Sequence, residues 1–295
     1  LFLCRCNPVT IYYMHLPENY LQVFEEARRY DESGDSYHAI KLYKKVTRLV
    51  PDFVEAYRFL GKIYYQRREW KPAFHYWKMA LSLDADNRDD WWHLGLAAVA
   101  LKKMRVAQNV WSKFGYDQVD LSLPLGLKVR NQKEYEVLWM QPLDASRCRI
   151  ISIPMPGSKL KYRQTMLYNR RGKKGSTIVA NRRVLIYESL ATLKSSPYET
   201  FSCLLHTSDP ESLKKIEQLA YEAGLGFEIW SNATRSMTIE HQNAFPEYHN
   251  DIIPRATNEN TLVALAAIHP AEVERVLNDW QIICLDQYSD LRSYG

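Results

Sequence analysis

The chain has 295 residues, a formal net charge of +5 and 46 % hydrophobic residues. This hydrophobic share is enough to build a folded core and excludes intrinsic disorder, while the length predicts two compact domains. The mild positive charge permits an acidic partner without requiring one. No apolar run approaches the roughly 20 residues of a membrane span, so we expect a soluble protein with no membrane partner.

The five cysteines are scattered and include no Cys-x-x-Cys pair. This spread favours reduced thiols in a cytoplasmic protein over a disulfide or zinc framework. Residues 1–17 are predicted to be a leader or truncation edge, because Met14 lies close to the start of the first helical pattern, LPENYLQVFEEARRY.

A 34-residue periodicity runs through residues 18–117. When the chain is compared with itself at this offset, small residues coincide at two positions of each copy and large aromatics at a third. The coinciding sets are Ala27, Gly61 and Gly95; Ala39, Ala73 and Ala107; and Tyr43, Trp77 and Trp111. Antiparallel helices approach closely only where side chains are small, so Gly or Ala should face Ala across each pair, with aromatics filling the wider spaces. The pattern therefore predicts three helix-turn-helix copies.

This spacing resembles the tetratricopeptide repeat (TPR) family, most closely in LGKIYY and WWHLGLAA, which supply a Leu-Gly pair. The resemblance implies an all-α TPR solenoid of three helix-turn-helix repeats, with an inner groove lined by the first helix of each pair. Such grooves bind extended or helical peptides. The chain departs from the family at Ala85, where a closing proline is expected, and at Ala98, where an aromatic is expected.

If the array follows the family, its groove combines cations with aromatic side chains. We therefore expect a protein or peptide partner that brings acidic groups and apolar anchors. The predicted groove residues are Phe24, Arg28, Arg58, Lys62, Tyr65 and Trp92. The alternative is that Tyr65 and Trp92 pack against the following domain.

The period changes from helical to alternating near residue 122. Short runs rich in β-branched and aromatic residues, separated by turn signals such as LDASR, PGSK and RRGKKGS, predict a β-rich subdomain over residues 118–195. The runs are YEVLWMQPL, CRIISIPM, YRQTMLYN and RRVLIYESL. We expect a small antiparallel sheet or barrel.

Residues 196–295 contain two β-α-β units in succession. In the first, the helix in DPESLKKIEQLAYEAGL is predicted to be capped by Asp209, to begin with Pro210 and to stop at Gly224. In the second, TLVALAAI is predicted to be a strand, PAEVERVLNDW a helix and QIICLDQYS the last strand. This order predicts a ferredoxin-like βαβ-βαβ part. The region also resembles the tails of uncharacterised bacterial TPR proteins, which implies no activity.

The segment from Ala145 to Tyr187 has no acidic residue. A basic β-surface with Tyr162 and Tyr168 interleaved suits a phosphate backbone and stacked bases, so the alternative function is an adaptor that binds RNA or another polyanion. The binding residues would be Arg170, Arg171, Lys173, Lys174, Arg182 and Arg183. The competing interpretation is a solvated hairpin whose basic side chains balance acidic residues elsewhere in the protein.

The sequence contains no recognisable catalytic motif. Cys203 lies in the apolar run FSCLL, which predicts a buried and inert thiol. His241 and His249 lack a known zinc-ligand spacing, and a polar surface loop is the simpler interpretation. We therefore expect no metal, cofactor or catalytic site. The preferred interpretation is a non-enzymatic scaffold or adaptor that binds a protein or peptide in the TPR groove, with self-association left open.

Overall fold

The computed structural model describes residues 19–116, 120–131, 134–179, 182–232, 236–237 and 260–294. The predicted leader, residues 1–17, lies outside these ranges. Six helices come first and an α+β region follows. The chain divides between Lys102 and Lys103 into two compact units. Within the described ranges, no helix is long and apolar enough to cross a membrane.

The six N-terminal helices begin at intervals that match the sequence repeat. Their bounds are α1 (Tyr20–Glu32), α2 (Ser36–Leu49), α3 (Val54–Gln66), α4 (Trp70–Leu83), α5 (Arg88–Ala100) and α6 (Met104–Lys113). Equivalent helices therefore start 34 residues apart throughout. The first unit contains α1 to α5, and α6 belongs to the second unit, whereas the sequence predicted an array that extends to residue 117.

The turn after the first helix of each copy has the same backbone conformation. Gly34, Arg68 and Lys102 have φ angles of 84°, 60° and 59°. These values lie in the left-handed region, which glycine enters without a penalty from Cβ. The first copy meets this requirement with glycine, while the other two copies place a basic residue in a strained position.

Small residues at the repeat positions are buried among the helices of the first unit. Ala27, Ala39 and Ala73 have no exposed surface, and consecutive helices from α1 to α5 pack against each other. Gly61 of α3 faces the ring of Trp77 in α4, with no room for a Cβ. This small residue makes space for an aromatic side chain, whereas the repeat pattern predicted that it faces an alanine.

The second unit contains two sheets, of which the first closes on itself. Its strands are β1 (Leu125–Asn131), β2 (Glu134–Pro142), β3 (Arg147–Ile150), β4 (Thr165–Val179) and β5 (Arg182–Lys194), with the short β8 (Ser236–Met237) beside β2. Strands β1 to β5 form a meander in which β1 pairs with both β2 and β5, giving a closed ring. Its core includes Leu127, Leu138 and Tyr168.

The ring corrects the prediction of a purely antiparallel sheet. Strands β1 and β5 are parallel, with Gly126 opposite Ile186, while the other neighbouring pairs are antiparallel. Successive strands of a meander alternate in direction, so the first and fifth point the same way when the ring closes. The sheet is therefore mixed.

Strand β4 runs through a segment that was predicted to be a turn. The sequence RRGKKGS, residues 170–176, belongs to β4, and its pairing with β5 shifts register between Tyr168 and Lys173 and again between Lys173 and Gly175. Glycines inside a strand commonly mark such bulges. The turn prediction was wrong because these glycines belong to an irregular strand.

The second sheet is built from two β-α-β units. The first is β6 (Glu199–Leu205), α7 (Pro210–Glu222) and β7 (Gly226–Ile229); the second is β9 (Thr261–Ala267), α8 (Pro270–Cys284) and β10 (Tyr288–Tyr294). The strand order is β10-β6-β9-β7, and every neighbouring pair is antiparallel. Residues of both helices, such as Ile216 and Leu277, form a core with alternate residues of β6.

The ends of α7 follow the sequence signals, and the end of α8 does not. The side chain of Asp209 accepts a hydrogen bond from Ser212 N at 3.0 Å, and Gly224 has a φ of 72° just beyond the helix. The last strand was predicted to start at Gln281, but α8 continues to Cys284 and β10 begins at Tyr288. The β-branched pair Ile282 and Ile283 suggested a strand, yet both belong to the last helical turn and are exposed.

Candidate partner-binding site

The first unit has a cavity of about 500 Å³ between α3 and the start of α5, with α4 also contributing to its wall. Its lining combines aromatic side chains with charged and amide groups. The lining residues are Arg58, Phe59, Lys62, Tyr65, Gln66, Trp77, Asn87, Asp89, Asp90 and His93.

Helix geometry brings the lining residues together. Arg58, Lys62 and Tyr65 are spaced by four and then three residues, so they form one stripe along α3. On the other side, the Asn87 side chain caps α5 by accepting hydrogen bonds from the N–H groups of Asp89 and Asp90, each at 3.0 Å. This cap fixes the first turn of α5, and His93 follows one turn later on the same helix.

The Arg58 guanidinium lies between two carboxylates. Its Nε donates to Asp90 Oδ2 at 2.7 Å, and its Nη2 forms an ion pair with Asp84 Oδ2. The side chain of Asp90 is only 4 % exposed. Burial raises the pKa of Asp90, although the hydrogen bond and charge of Arg58 act to lower it. At Asp84, whose side chain is partly exposed, the hydrogen bond from Arg58 lowers the pKa. Arg58 therefore neutralises the protein's own carboxylates.

Aromatic rings form much of the cavity wall. The indole of Trp77 stacks on His93, with ring centroids 4.9 Å apart and an interplanar angle of 18°. Tyr65 meets His93 edge to face at 5.2 Å. The Trp77 Nε1 donor is buried and has no hydrogen-bond partner among the described residues. Such a wall suits an aromatic or aliphatic side chain, and the unused donor favours one that arrives with a hydrogen-bond acceptor.

The structure brings together three of the six predicted groove residues and separates the others. Arg58, Lys62 and Tyr65 line the cavity. Phe24 does not, because its ring is buried against neighbours that include Phe53 at a centroid distance of 5.0 Å. Trp92 is 1 % exposed. The prediction that Phe24 and Trp92 line the groove and receive apolar anchors of the partner is therefore corrected, since both side chains are buried.

The predicted cations also have carboxylate neighbours. Arg28 is outside the cavity lining and forms ion pairs with Glu25 and Glu32 of its own helix, both at 3.3 Å. Lys62 stays exposed, but its charge acts on Asp31, where it opposes the rise in pKa that burial causes. The observed ion pairs therefore support an acidic partner less strongly than the count of cations in the sequence did.

Sequence reasoning missed Trp77 and His93 as members of the site. Trp77 was assigned to the repeat as a space-filling aromatic, a role that it also has through Gly61. For His93 a sequence signal was available. Its spacing of three residues from Asp90 places both on one face of α5, which faces the stripe of Arg58, Lys62 and Tyr65 on α3.

The basic segment forms part of the ring, mainly in β4 and β5. Arg171, Lys173, Lys174 and Arg183 are exposed, and Lys174 Nζ lies 3.5 Å from Glu188 Oε2. Arg170 Nη1 donates to Tyr168 Oη at 3.4 Å. The side chain of Arg182 lies outside the described residues.

The aromatic residues of this segment are engaged inside the protein. Tyr168 has no exposed surface, and Tyr162 meets Tyr198 edge to face at 5.3 Å. The prediction that Tyr168 is available to stack a base is therefore wrong. The charged surface keeps the capacity to attract a polyanion without this stacking contribution.

The other residues considered for chemistry do not form a site in the described part of the chain. His241 and His249 lie outside it, and within it no group of three His, Cys, Asp or Glu side chains is placed to hold a metal ion. Cys203 is completely buried, as predicted, and burial raises its pKa to about 12.

Comparisons with known proteins do not identify a family. No family model matches the chain, and no curated protein matches it. Among solved structures, a hypothetical protein from Neisseria gonorrhoeae is similar at 13 % sequence identity, with 58 % of this chain and 95 % of that chain covered and a TM-score of 0.26. A score this low carries no argument about fold or function.

Proposed function

We propose that this protein is a non-enzymatic adaptor whose N-terminal helices form a TPR-type solenoid and bind a peptide or protein partner between α3 and α5. The observation that carries the proposal is the cavity there, lined by Arg58, Lys62 and Tyr65. It lies between the first helices of successive copies, which is where the groove of such an array is expected. The regular helix starts and the repeated left-handed turn support the solenoid.

The partner is proposed to insert one aromatic or aliphatic anchor side chain into the cavity. The aromatic wall formed by Tyr65, Trp77 and His93 supports this chemistry. A single buried anchor commonly supplies a large share of the binding energy in such contacts. Because Arg58 is engaged by two carboxylates, Lys62 is the cation left to favour an acidic group beside the anchor.

For the second unit we propose a ferredoxin-like arrangement of β6 to β10, supported by the strand order and the antiparallel pairing. The proposal keeps the cytoplasmic location that the scattered cysteines favour. It makes no use of the basic segment, which stays a predicted polyanion surface.

A displayed peptide library tests the proposal with the full chain as bait. We expect enriched peptides to share an aromatic or aliphatic residue. Their affinity should fall about tenfold or more for Gln66→Arg, which fills the cavity, and for Lys62→Glu, which replaces a lining cation with an anion. Lys78→Glu is the matched control, since Lys78 is exposed on α4 and does not line the cavity.

Two results would overturn the proposal. One is a library with no enriched family. The other is a set of peptides that bind wild type, Gln66→Arg and Lys78→Glu equally. Salt-sensitive binding of RNA that is lost on charge reversal of Arg170, Arg171, Lys173 and Lys174 would favour the polyanion function instead.

A further inference from the structure

A second cavity, of about 630 Å³, lies in the second unit between the ring and the four-stranded sheet. Most of its wall is apolar, with side chains contributed by β1, β2, β5, β7 and the residues beside them. The apolar lining includes Leu123, Leu125, Trp139, Ile151, Leu185 and Phe227. Leu123 is 52 % exposed and Ile151 is 38 % exposed, so apolar surface remains uncovered. The volume falls in the range of small-molecule sites, roughly 300–1,000 Å³.

Three hydrogen-bond donors in this lining have no acceptor among the described residues. Ser152 is 3 % exposed, and its Oγ accepts from Trp139 N at 2.8 Å, which leaves the hydroxyl hydrogen without a partner. The indole N–H of Trp139 and the guanidinium of Arg183 make no hydrogen bond or ion pair within the described chain. Ser152 is buried, where an unpaired donor costs stability, while Trp139 is partly buried and Arg183 is exposed. Together the three donors favour a ligand that accepts hydrogen bonds.

The charged groups of the lining limit the chemistry further. Glu228 Oε2 accepts from Ile153 N at 2.8 Å, which ties this carboxylate to the backbone. Arg183 is the cation of the lining, and its planar fork matches a carboxylate through two parallel hydrogen bonds. One guanidinium beside mainly apolar walls suits a single carboxylate on a hydrocarbon body better than a multiply charged phosphate ester.

We infer that this cavity binds a small apolar monocarboxylic acid, with its hydrocarbon part against Ile151 and Leu185 and its carboxylate at Arg183. The inference concerns the second unit and does not depend on the partner site between α3 and α5. It assigns no reaction to the cavity.

Calorimetric titration of the full chain with hexanoate, octanoate and decanoate tests the inference, with 1-octanol and octylamine as head-group controls. We expect at least one of the acids to bind, and octanoate to bind about tenfold or more tightly than the alcohol or the amine, because only the carboxylate pairs with Arg183. Arg183→Gln should weaken octanoate by about tenfold. Arg149→Gln is the matched control, because Arg149 is exposed on β3 and outside the lining.

A second variant tests the apolar wall. Ile151→Asp replaces an exposed apolar side chain of the lining with a negative charge. We therefore expect the fold to survive and binding of octanoate to fall below detection. Circular dichroism and thermal unfolding check the fold of each variant. Failure of all three acids to give heat or to shift the melting temperature would overturn the inference, as would equal affinity for octanoate and 1-octanol. Unchanged affinity in Arg183→Gln would also overturn it.

Discussion

A Cβ atom on Gly61 would lie 2.7 Å from Cε2 of Trp77, closer than side chains pack in folded proteins. The obstacle is a buried indole that also stacks on His93. Gly61→Ala should therefore lower the free energy of unfolding by about 1–3 kcal/mol through overpacking, even though alanine is the better helix former. Urea unfolding of the two proteins measures the difference.

A double-mutant cycle separates this clash from other effects of the substitution. In a Trp77→Leu background the ring is absent, so Gly61→Ala should cost less or become favourable. An equal cost in both backgrounds would contradict the close contact.

The repeated left-handed turn predicts opposite effects for two substitutions. Lys102 is exposed and has a φ of 59°, so Lys102→Gly should relieve backbone strain and raise the free energy of unfolding by about 0.5–1 kcal/mol. Gly34 has a φ of 84° and no neighbouring atom within 4 Å of a Cβ. Gly34→Ala should therefore lower the free energy of unfolding by about 1 kcal/mol, through backbone strain alone. Thermal unfolding of both variants is the measurement, and changes of the same sign would count against an equivalent turn.

Removing Arg58 should leave the buried Asp90 carboxylate without its ion pair. We expect Arg58→Met to destabilise the protein by about 3 kcal/mol at neutral pH, and Arg58→Met with Asp90→Asn to recover part of this loss. Denaturant unfolding of the single and double variants measures both.

The cost of removing Arg58 should also depend on pH. Burial already holds the pKa of Asp90 above its ordinary value, and loss of Arg58 removes an interaction that lowers it. Protonation of Asp90 then favours the folded state, so the penalty is full above the raised pKa and shrinks as the pH falls towards the ordinary value of aspartate. Unfolding at pH 7 and at about pH 4 tests the sign. A penalty that grows in acid would refute this account of Asp90.

Burial should divide the cysteines by reactivity. The pKa of Cys203 is raised by burial to about 12, and burial also raises that of Cys148, so neither thiol should react with iodoacetamide in the native protein. Cys284 is only partly buried and should react first. Mass spectrometry of a Cys4→Ser, Cys6→Ser variant reads the sites directly. Modification of Cys203 without urea would show that its strand opens readily.

Local signals predicted the helices and the β-α-β units. The 34-residue spacing predicted helices whose starts recur at that interval, because each copy repeats the same small and aromatic positions. Asp209 and Gly224 marked the ends of α7 through capping and a left-handed turn, which depend on a few adjacent residues. Such features are encoded within one or two helical turns.

Features that depend on distant neighbours were missed. The parallel pairing of β1 with β5 joins segments that are far apart in the chain, and no local sequence pattern predicts that they pair. Phe24 and Trp92 were expected at a surface, but tertiary packing buries both. The glycines of RRGKKGS suggested a turn, but glycine is also typical of a bulged strand, which is what this segment forms. The two cases cannot be told apart from the local sequence. In the candidate site, the ion pairs of Arg58 with Asp84 and Asp90 could not be predicted from the sequence, because the partners are 26 and 32 residues away.

Closure of the ring joins residues about 60 positions apart, since Gly126 pairs opposite Ile186. That pairing must meet the entropy cost of a long loop before its contacts stabilise anything. The first unit instead packs helices that are neighbours in the chain, and such local contacts form much faster. During synthesis from the N-terminus, α1 to α5 can therefore pack while the ring still lacks β5. The unfinished meander is then the stage at which unpaired strand edges expose a nascent chain to aggregation and to chaperones.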